Sequence, residues 1–256
     1  PDSDNDGLTD GEEAALGTDP LDGDSDNDGL TDRAEVCAVF AAAPGWFDVS
    51  GGIDLTEAVY GNWLGVGDVQ LPFGVSMAGT GIGFATIAAN GYVGFSGPGG
   101  GVSWGLGDND DPLGRAVFGD APLAVAGFWD ALQAYPAELG STVTLADVTT
   151  NGNRHCVIEY RNMGFSGAEP STNDLVTFQV VLTEGVSNRV TVLYRDARGL
   201  GDGRSATLGV YASGWELRYA YDTNAVYAGL GLVYLTGLGT DPRDGDSDDD
   251  GLSDGE

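Results

Sequence analysis

The sequence predicts an all-β protein, a two-sheet antiparallel sandwich of jelly-roll-like form, flanked by two irregular acidic arms. Three observations lead there. Through the middle of the chain, short β-branched and aromatic runs alternate with Gly, Asn, Asp and Pro turns. No helical pattern of ten or more residues separates those runs, which removes a parallel α/β sheet. The acid is concentrated at the ends: of 40 Asp and Glu in 256 residues, 13 fall in residues 1–36 and 8 in residues 239–256. That shift in composition divides the chain into an arm of residues 1–36, a body of residues 37–238 and an arm of residues 239–256.

Charge narrows the partners. Ten Arg, no Lys and a formal net charge of −30 make nucleic acid and anionic membrane surfaces poor candidate partners, so neither is expected, and favour divalent cations. The longest stretch without a formal charge, between Asp68 and Asp108, is broken by Gly, Pro, Ser, Asn and Thr, so no membrane span is expected. The chain opens at Pro1 inside a repeated motif, and any targeting signal is expected outside this segment.

The arms repeat. Residues 2–13 read DSDNDGLTDGEE, residues 24–35 DSDNDGLTDRAE and residues 246–256 DSDDDGLSDGE, with the connectors GTDPLDGD at 17–24 and GTDPRDGD at 239–246. Each copy has the spacing of a calcium loop, with oxygens at positions 1, 3, 5, 7, 9 and 12 and a turn glycine at position 6. The predicted ligands are Asp2, Asp4, Asp6, the Leu8 carbonyl, Asp10 and Glu13 in the first copy. In the second they are Asp24, Asp26, Asp28, the Leu30 carbonyl, Asp32 and Glu35. The third supplies Asp246, Asp248, Asp250, the Leu252 carbonyl and Asp254, and its twelfth position falls one residue beyond Glu256. Five carboxylates in a complete loop carry a charge of −5, so up to two Ca2+ ions per repeat are expected. The 22-residue period leaves too few residues for paired helices, and only a short turn at 12–16, stopped by Gly17, fits.

These motifs resemble bacterial thrombospondin type 3 repeats. The resemblance implies that ions stand in for a hydrophobic core and that neighbouring repeats share ligands, which adds Asp19 and Asp241 of GTDP as further ligands. Their alternative role is to start the turns before Pro20 and Pro242.

In the body, strands are predicted at 69–73, 84–88, 92–95, 123–129, 142–146, 156–161, 175–182, 189–194, 206–211, 217–221 and 231–235. About eleven strands in roughly 200 residues imply a two-sheet sandwich. The best helical candidate is 130–139, interrupted by Pro136. LPF at 71–73, NGYVGF at 90–95, AGFWDAL at 126–132, CVIEYRNMGF at 156–165 and TFQVVL at 177–182 resemble nidogen-like domains of secreted proteins. In that pattern a proline precedes Phe128 and a second acid follows Asp130; here Gly127 and Ala131 stand in those places. The resemblance implies an extracellular structural or adhesive module and assigns no catalytic residue.

No enzyme is expected. His155 and Cys156 are adjacent on a predicted strand and so face opposite sides, which makes a poor nucleophile–base pair. Asp130 and Glu159 are weak as an acid pair in a chain so rich in carboxylates. GPGGG at 97–101 lacks the Lys of a phosphate loop, and Asp108, Asp110 and Asp111 lack the turn glycine of a calcium loop. Cys37, just beyond the second repeat, and Cys156 are expected to form a disulfide clamping arm to body, worth about 4–5 kcal/mol in the chain-entropy model; two separate buried thiols are the alternative.

The expected function is a calcium-stabilised extracellular structural or adhesive module of a cell-surface protein or fibre. Residues 245–256 align with residues 1–12, which predicts self-association into a fibre or a tandem array. The alternatives are a glycan-binding sandwich using Trp46, Trp63, Trp104 or Trp215, and an accessory domain of a secreted hydrolase.

Overall fold

The computed structural model describes residues 1–42, 45–60, 66–77, 80–97, 123–212, 215–238, 240–247 and 251–254. In the N-terminal arm the only regular elements are α1 (Asp10–Leu16) and α2 (Asp32–Glu35). The body then runs β1 (Cys37–Ala42), β2 (Ile53–Asp54), α3 (Thr56–Val59), β3 (Val66–Met77), β4 (Thr80–Ile87) and β5 (Tyr92–Ser96). It continues with β6 (Leu123–Trp129), β7 (Leu132–Gln133), α4 (Pro136–Leu139), β8 (Thr142–Thr150), β9 (Asn153–Phe165) and β10 (Leu175–Thr183). β11 (Arg189–Arg198), a 3-10 turn (Gly199–Asp202), β12 (Thr207–Ala212), β13 (Trp215–Tyr221) and β14 (Gly231–Thr236) complete it.

The strands form two antiparallel sheets, ordered β1-β14-β11-β10-β9-β8-β2, with β7 pairing to β9, and β13-β12-β6-β5-β4-β3. Each of the eleven predicted strands falls on one of these. Three were not foreseen. β2 and β7 are only two residues long, and β1 carries the apolar run CAVFAA directly against the acidic arm. Within the helical candidate only Pro136–Leu139 is helical, with the proline in its first turn where a missing N–H does no harm. Leu132 and Gln133 are instead drawn into pairing with Phe165 and Gly164.

Between the sheets lies an aromatic core. The Tyr160 and Phe178 rings stack at 4.6 Å, with Phe128 and Tyr194 beside Phe178 at 6.4 and 6.1 Å. The buried Tyr160 hydroxyl lies 2.9 Å from the Ala88 carbonyl, so the core's polar tip is satisfied. A Cβ at position 127 would stand 2.7 Å from the Phe178 ring, which explains the glycine there: the ring fills the space a proline needs. In β10 the alternation holds, since Phe178, Val180 and Leu182 face the other sheet. The opposite face is also covered. Thr177, Gln179 and Val181 are buried, and Gln179 grips the Phe47 backbone in both directions, donating at 2.9 Å and accepting at 3.2 Å.

The disulfide is corrected. Cys156 on β9 is a free, buried thiol. Cys37 is on β1, with β14, β11 and β10 between, so the sheet spacing puts the two Cα atoms about 19 Å apart. A disulfide needs them within about 7 Å.

Candidate metal centre

Both complete loops close in the same way. Asn5 and Asn27 take left-handed φ values of 64° and 61°, and Gly7 and Gly29 follow at 106° and 102°. Asn tolerates that region, and the glycine meets no Cβ penalty. The resulting winding turns alternate side chains inward, and one carboxylate oxygen from each of Asp2, Asp4 and Asp6 lies within 4.8 Å of the others; Asp24, Asp26 and Asp28 repeat the cluster. The inner edges are held by backbone amides. Leu8 N–H donates to Asp6 at 2.7 Å and Leu30 N–H to Asp28 at 2.7 Å.

The twelfth position is delivered by the turn of helix behind each loop. In α1 the Thr9 side chain accepts from Glu12 N–H, and Glu12 accepts from Thr9 N–H at 2.8 Å, a reciprocal cap; Gly17, with φ of 87°, ends the helix. Thr9-x-x-Glu12 was legible as that cap in the sequence and starts the helix earlier than the predicted turn. Thr31 caps α2 in one direction only, its side chain accepting from Ala34 N–H at 3.3 Å. Glu13 and Glu35 are thereby brought back onto their loops, and both are fully buried.

These two carboxylates have little to neutralise them. Neither oxygen of Glu13 has a hydrogen-bond partner among the described residues, nor do Asp4 Oδ2, Asp26 Oδ2 or Glu35 Oε2. Burial, then the charges of Asp4, Asp6, Asp10 and Asp32, push Glu13 up to about 7. Burial likewise raises Glu35 to about 7, reinforced by Asp26, Asp28 and Asp32 and opposed by a hydrogen bond from Thr240. Burial also raises Asp6 and Asp26. Orphaned buried carboxylate oxygens are costly, and a hard cation surrounded by oxygens is the group that satisfies them. The residues present fit such an ion.

Several predicted ligands also brace the backbone around them. The ninth-position aspartates clamp their own loops: Asp10 accepts from Ser3 N–H and Oγ at 3.0 Å each, and Asp32 from Ser25 N–H and Oγ at 2.8 and 2.7 Å. Asp254 does the same with Ser247. The serine at position 2, passed over in the sequence, is therefore part of the loop. Asp19 and Asp241 take up the turn role, accepting from Leu21 and Arg243 N–H at 3.1 and 3.2 Å. In the third loop Asp246 accepts from Gly251 N–H at 2.9 Å, as Asp24 does from Gly29 at 3.2 Å. Leu252 is exposed, and Asp248 and Asp250 lie outside the described residues.

The first repeat is docked on the sandwich. Leu8, whose carbonyl is a predicted ligand, buries its side chain against Val36 of the arm and Val233 and Leu235 of β14. Arg189 of β11 pairs with Glu12 at 2.8 Å, and Arg33 donates to the Asn188 and Ser187 carbonyls. The first loop is thus held against the outer face of the sheet at β14.

Elsewhere the polar candidates have structural partners. Burial, then Asp147, pushes the Cys156 thiol up to about 12, while His155 faces the other way, its Nδ1 3.0 Å from Thr183 Oγ1 and its ring 4.7 Å from Phe47. A thiol held so high is a poor nucleophile. Glu159, on the outer face of its sheet, accepts from Gln179 and Arg161 at 2.8 Å each; Asp130, beyond β6 in the other sheet, accepts from Ser205 at 2.7 Å. Trp46 is half-buried under the Arg195 guanidinium. Trp63, Trp104, Asp108, Asp110, Asp111 and residues 98–101 lie outside the described residues, as does the Trp215 side chain.

Residues 39–237 match the NIDO-related family, and residues 2–23 and 24–38 match the bacterial TSP3 repeat. The chain belongs to the NIDO-related family. Its repeats are of a calcium-binding type, both kinds of module are extracellular and structural in character, and no helix among the described residues is long and apolar enough to cross a membrane. No curated protein and no solved structure matches the chain.

Proposed function

We propose that this member of the NIDO-related family is a calcium-stabilised structural or adhesive module of a cell-surface protein or fibre, with its repeats as the metal-dependent part. The observation that carries this is Glu13: a carboxylate with no exposed surface, no hydrogen-bond donor on either oxygen among the described residues, and four more carboxylates around it. In this reading Asp2, Asp4, Asp6, the Leu8 carbonyl and Glu13 hold the first ion, and Asp24, Asp26, Asp28, the Leu30 carbonyl and Glu35 the second. Asp10 and Asp32, the ninth-position members of the two sets, also brace their loops through the serines they bind. Asp246, Asp248, Asp250, the Leu252 carbonyl and Asp254 belong to a third loop of the same kind. An all-oxygen donor set with carbonyl and carboxylate members suits Ca2+ rather than a thiophilic metal, and millimolar calcium outside cells fills even weak sites of this type.

The ion would supply charge neutralisation and a fixed loop shape. This chain's own residues do the rest: Leu8 and Arg33 carry that shape onto the sandwich, and the acidic surface keeps neighbouring copies apart until a cation bridges them. Isothermal titration of the full chain with Ca2+ tests the metal, with at least two binding steps expected and none overturning the reading. Electron microscopy of native material with and without EGTA tests assembly: ordered fibres that fall apart on chelation are expected, and single particles under both conditions would remove the fibre.

A further inference from the structure

The sequence distances between repeats carry an unassigned feature. Asp2 and Asp24 are 22 residues apart, whereas Asp24 and Asp246 are 222 apart, so the second interval is the first with 200 residues inserted in phase. Matching Glu13-Ala14-Ala15-Leu16 to Glu35-Val36 and Gly237-Leu238 places the insert at residues 37–236, the span from the first residue of β1 to the last of β14. Those two residues are paired, Cys37 opposite Thr236, so the insert begins and ends at one point in space. The chain is sealed across it: Gly237 N–H donates to the Val36 carbonyl at 2.9 Å and Leu238 N–H to the Ala34 carbonyl at 2.7 Å.

Resting on the calcium reading above, we infer that the second metal site is composite, its loop at 24–35 closed by residues 240–245 from the far side of the sandwich. The repeats then form one continuous array for a hard divalent cation, and the sandwich is a side branch inserted into it. Contacts on either side of the insert correspond. Gly23 lies against the first loop, where a Cβ would stand 2.8 Å from Asp6 Cβ; Gly245 lies against the second, 3.0 Å from Asp28 Cβ. Asp19 N–H donates to Ser25 Oγ at 3.0 Å and Asp241 N–H to Ser247 Oγ at 2.8 Å. Asp32 N–H donates to the Gly23 carbonyl, and Asp254 N–H to the Gly245 carbonyl, each at 3.0 Å. Thr18, next to Glu13, has its counterpart in Thr240, whose hydroxyl donates to Glu35 Oε1 at 3.0 Å and leaves Oε2 without a partner. The backbone of residues 240–247 thus covers the second loop as residues 18–25 cover the first.

Two consequences follow from a side branch. Tension along the repeats passes through metal–oxygen contacts and the seal at Val36 and Gly237, bypassing the sandwich strands. Calcium in the second site also latches the C-terminal arm to the N-terminal one.

The test is calcium titration of the full chain and its variants, with near-UV circular dichroism of the buried aromatics as the check that the sandwich is folded. Gly245→Val and Thr240→Val are each expected to weaken one calcium step by about tenfold, the scale of outer-shell changes at metal sites. Combined with Glu35→Gln, Gly245→Val should add nothing further to that step, because both act on one site. Gly23→Val serves as the reference for the first site. Unchanged titrations for Gly245→Val and Thr240→Val beside a weakened Gly23→Val would overturn the composite site while leaving the calcium reading intact. Additive losses with Glu35→Gln would overturn it too. A wild-type chain that takes up no calcium would remove both.

Discussion

In the sandwich the most deeply buried groups are rings and aliphatic chains, with Phe178 packed among Tyr160, Phe128 and Tyr194. In the arms they are charged: Glu13, Asp32 and Glu35 have no exposed surface, and the apolar burial there comes down mainly to Leu8 and Val36. The sandwich contains what it needs to stay folded, because burying apolar area is favourable in plain water. The arms do not. Their winding concentrates like charges that repel each other and are short of donors, so their shape is conditional on something from outside. One chain therefore joins a region held by apolar burial to a region whose order, on the calcium reading proposed above, depends on the surrounding cation.

The largest expected effect would break that comparison outright. Excess EGTA should abolish hydrogen-exchange protection across residues 1–35 and 240–254 while leaving β9, β10 and β11 protected; loss of protection in both regions together would show that they are one cooperative unit. Phe178→Ala should reverse the pattern, costing about 3–5 kcal/mol of sandwich stability by thermal or denaturant unfolding, with calcium affinity near the wild-type value. Leu8→Ala sharpens the boundary between the two. It should cost about 2–3 kcal/mol of docking between repeat and sheet, read as increased exchange in residues 1–16, whereas Leu252→Ala, at the equivalent exposed position, should change stability by less than about 0.5 kcal/mol.

The smallest effect concerns pH. Glu13 and Glu35 are held up at about 7 in the folded arms against an ordinary 4.5, so between those values the folded state binds protons that the unfolded chain has lost. In EGTA the order of the arms is thus favoured below pH about 4.5 and lost as pH rises through about 7. Glu13→Gln should raise apo-arm stability at pH 7.5, measured by calorimetry, and in calcium the same variant should weaken the first binding step. A wild-type apo arm that gains stability between pH 5 and 7.5 would contradict this. Calcium affinity itself should fall below pH 7, where protons compete for the two glutamates.

Much of this was legible in the residues, for reasons of short range. The period of the loops follows from where oxygens must sit around a cation, and the αL positions at Asn5, Gly7, Asn27 and Gly29 follow from backbone sterics. Strand positions such as Leu175–Thr183 follow from alternation within a few residues. The signals passed over were local too: Ser3 and Ser25 as loop clamps, Thr9 as a cap.

By itself the sequence determined where most strands lie, which segments are repeated acidic loops, and that an acidic array accompanies a β-sandwich. Only the tertiary structure decided the strand order that separates Cys37 from Cys156, the covering of Gln179 by Phe47, and the placing of Leu8 on β14 while Leu252 stays exposed. It also decided that the chain returns at Gly237 to the point it left at Val36. Local chemistry fixes what each short segment can become, but which segments meet depends on how two sheets close over a common core, and that is a property of the whole chain.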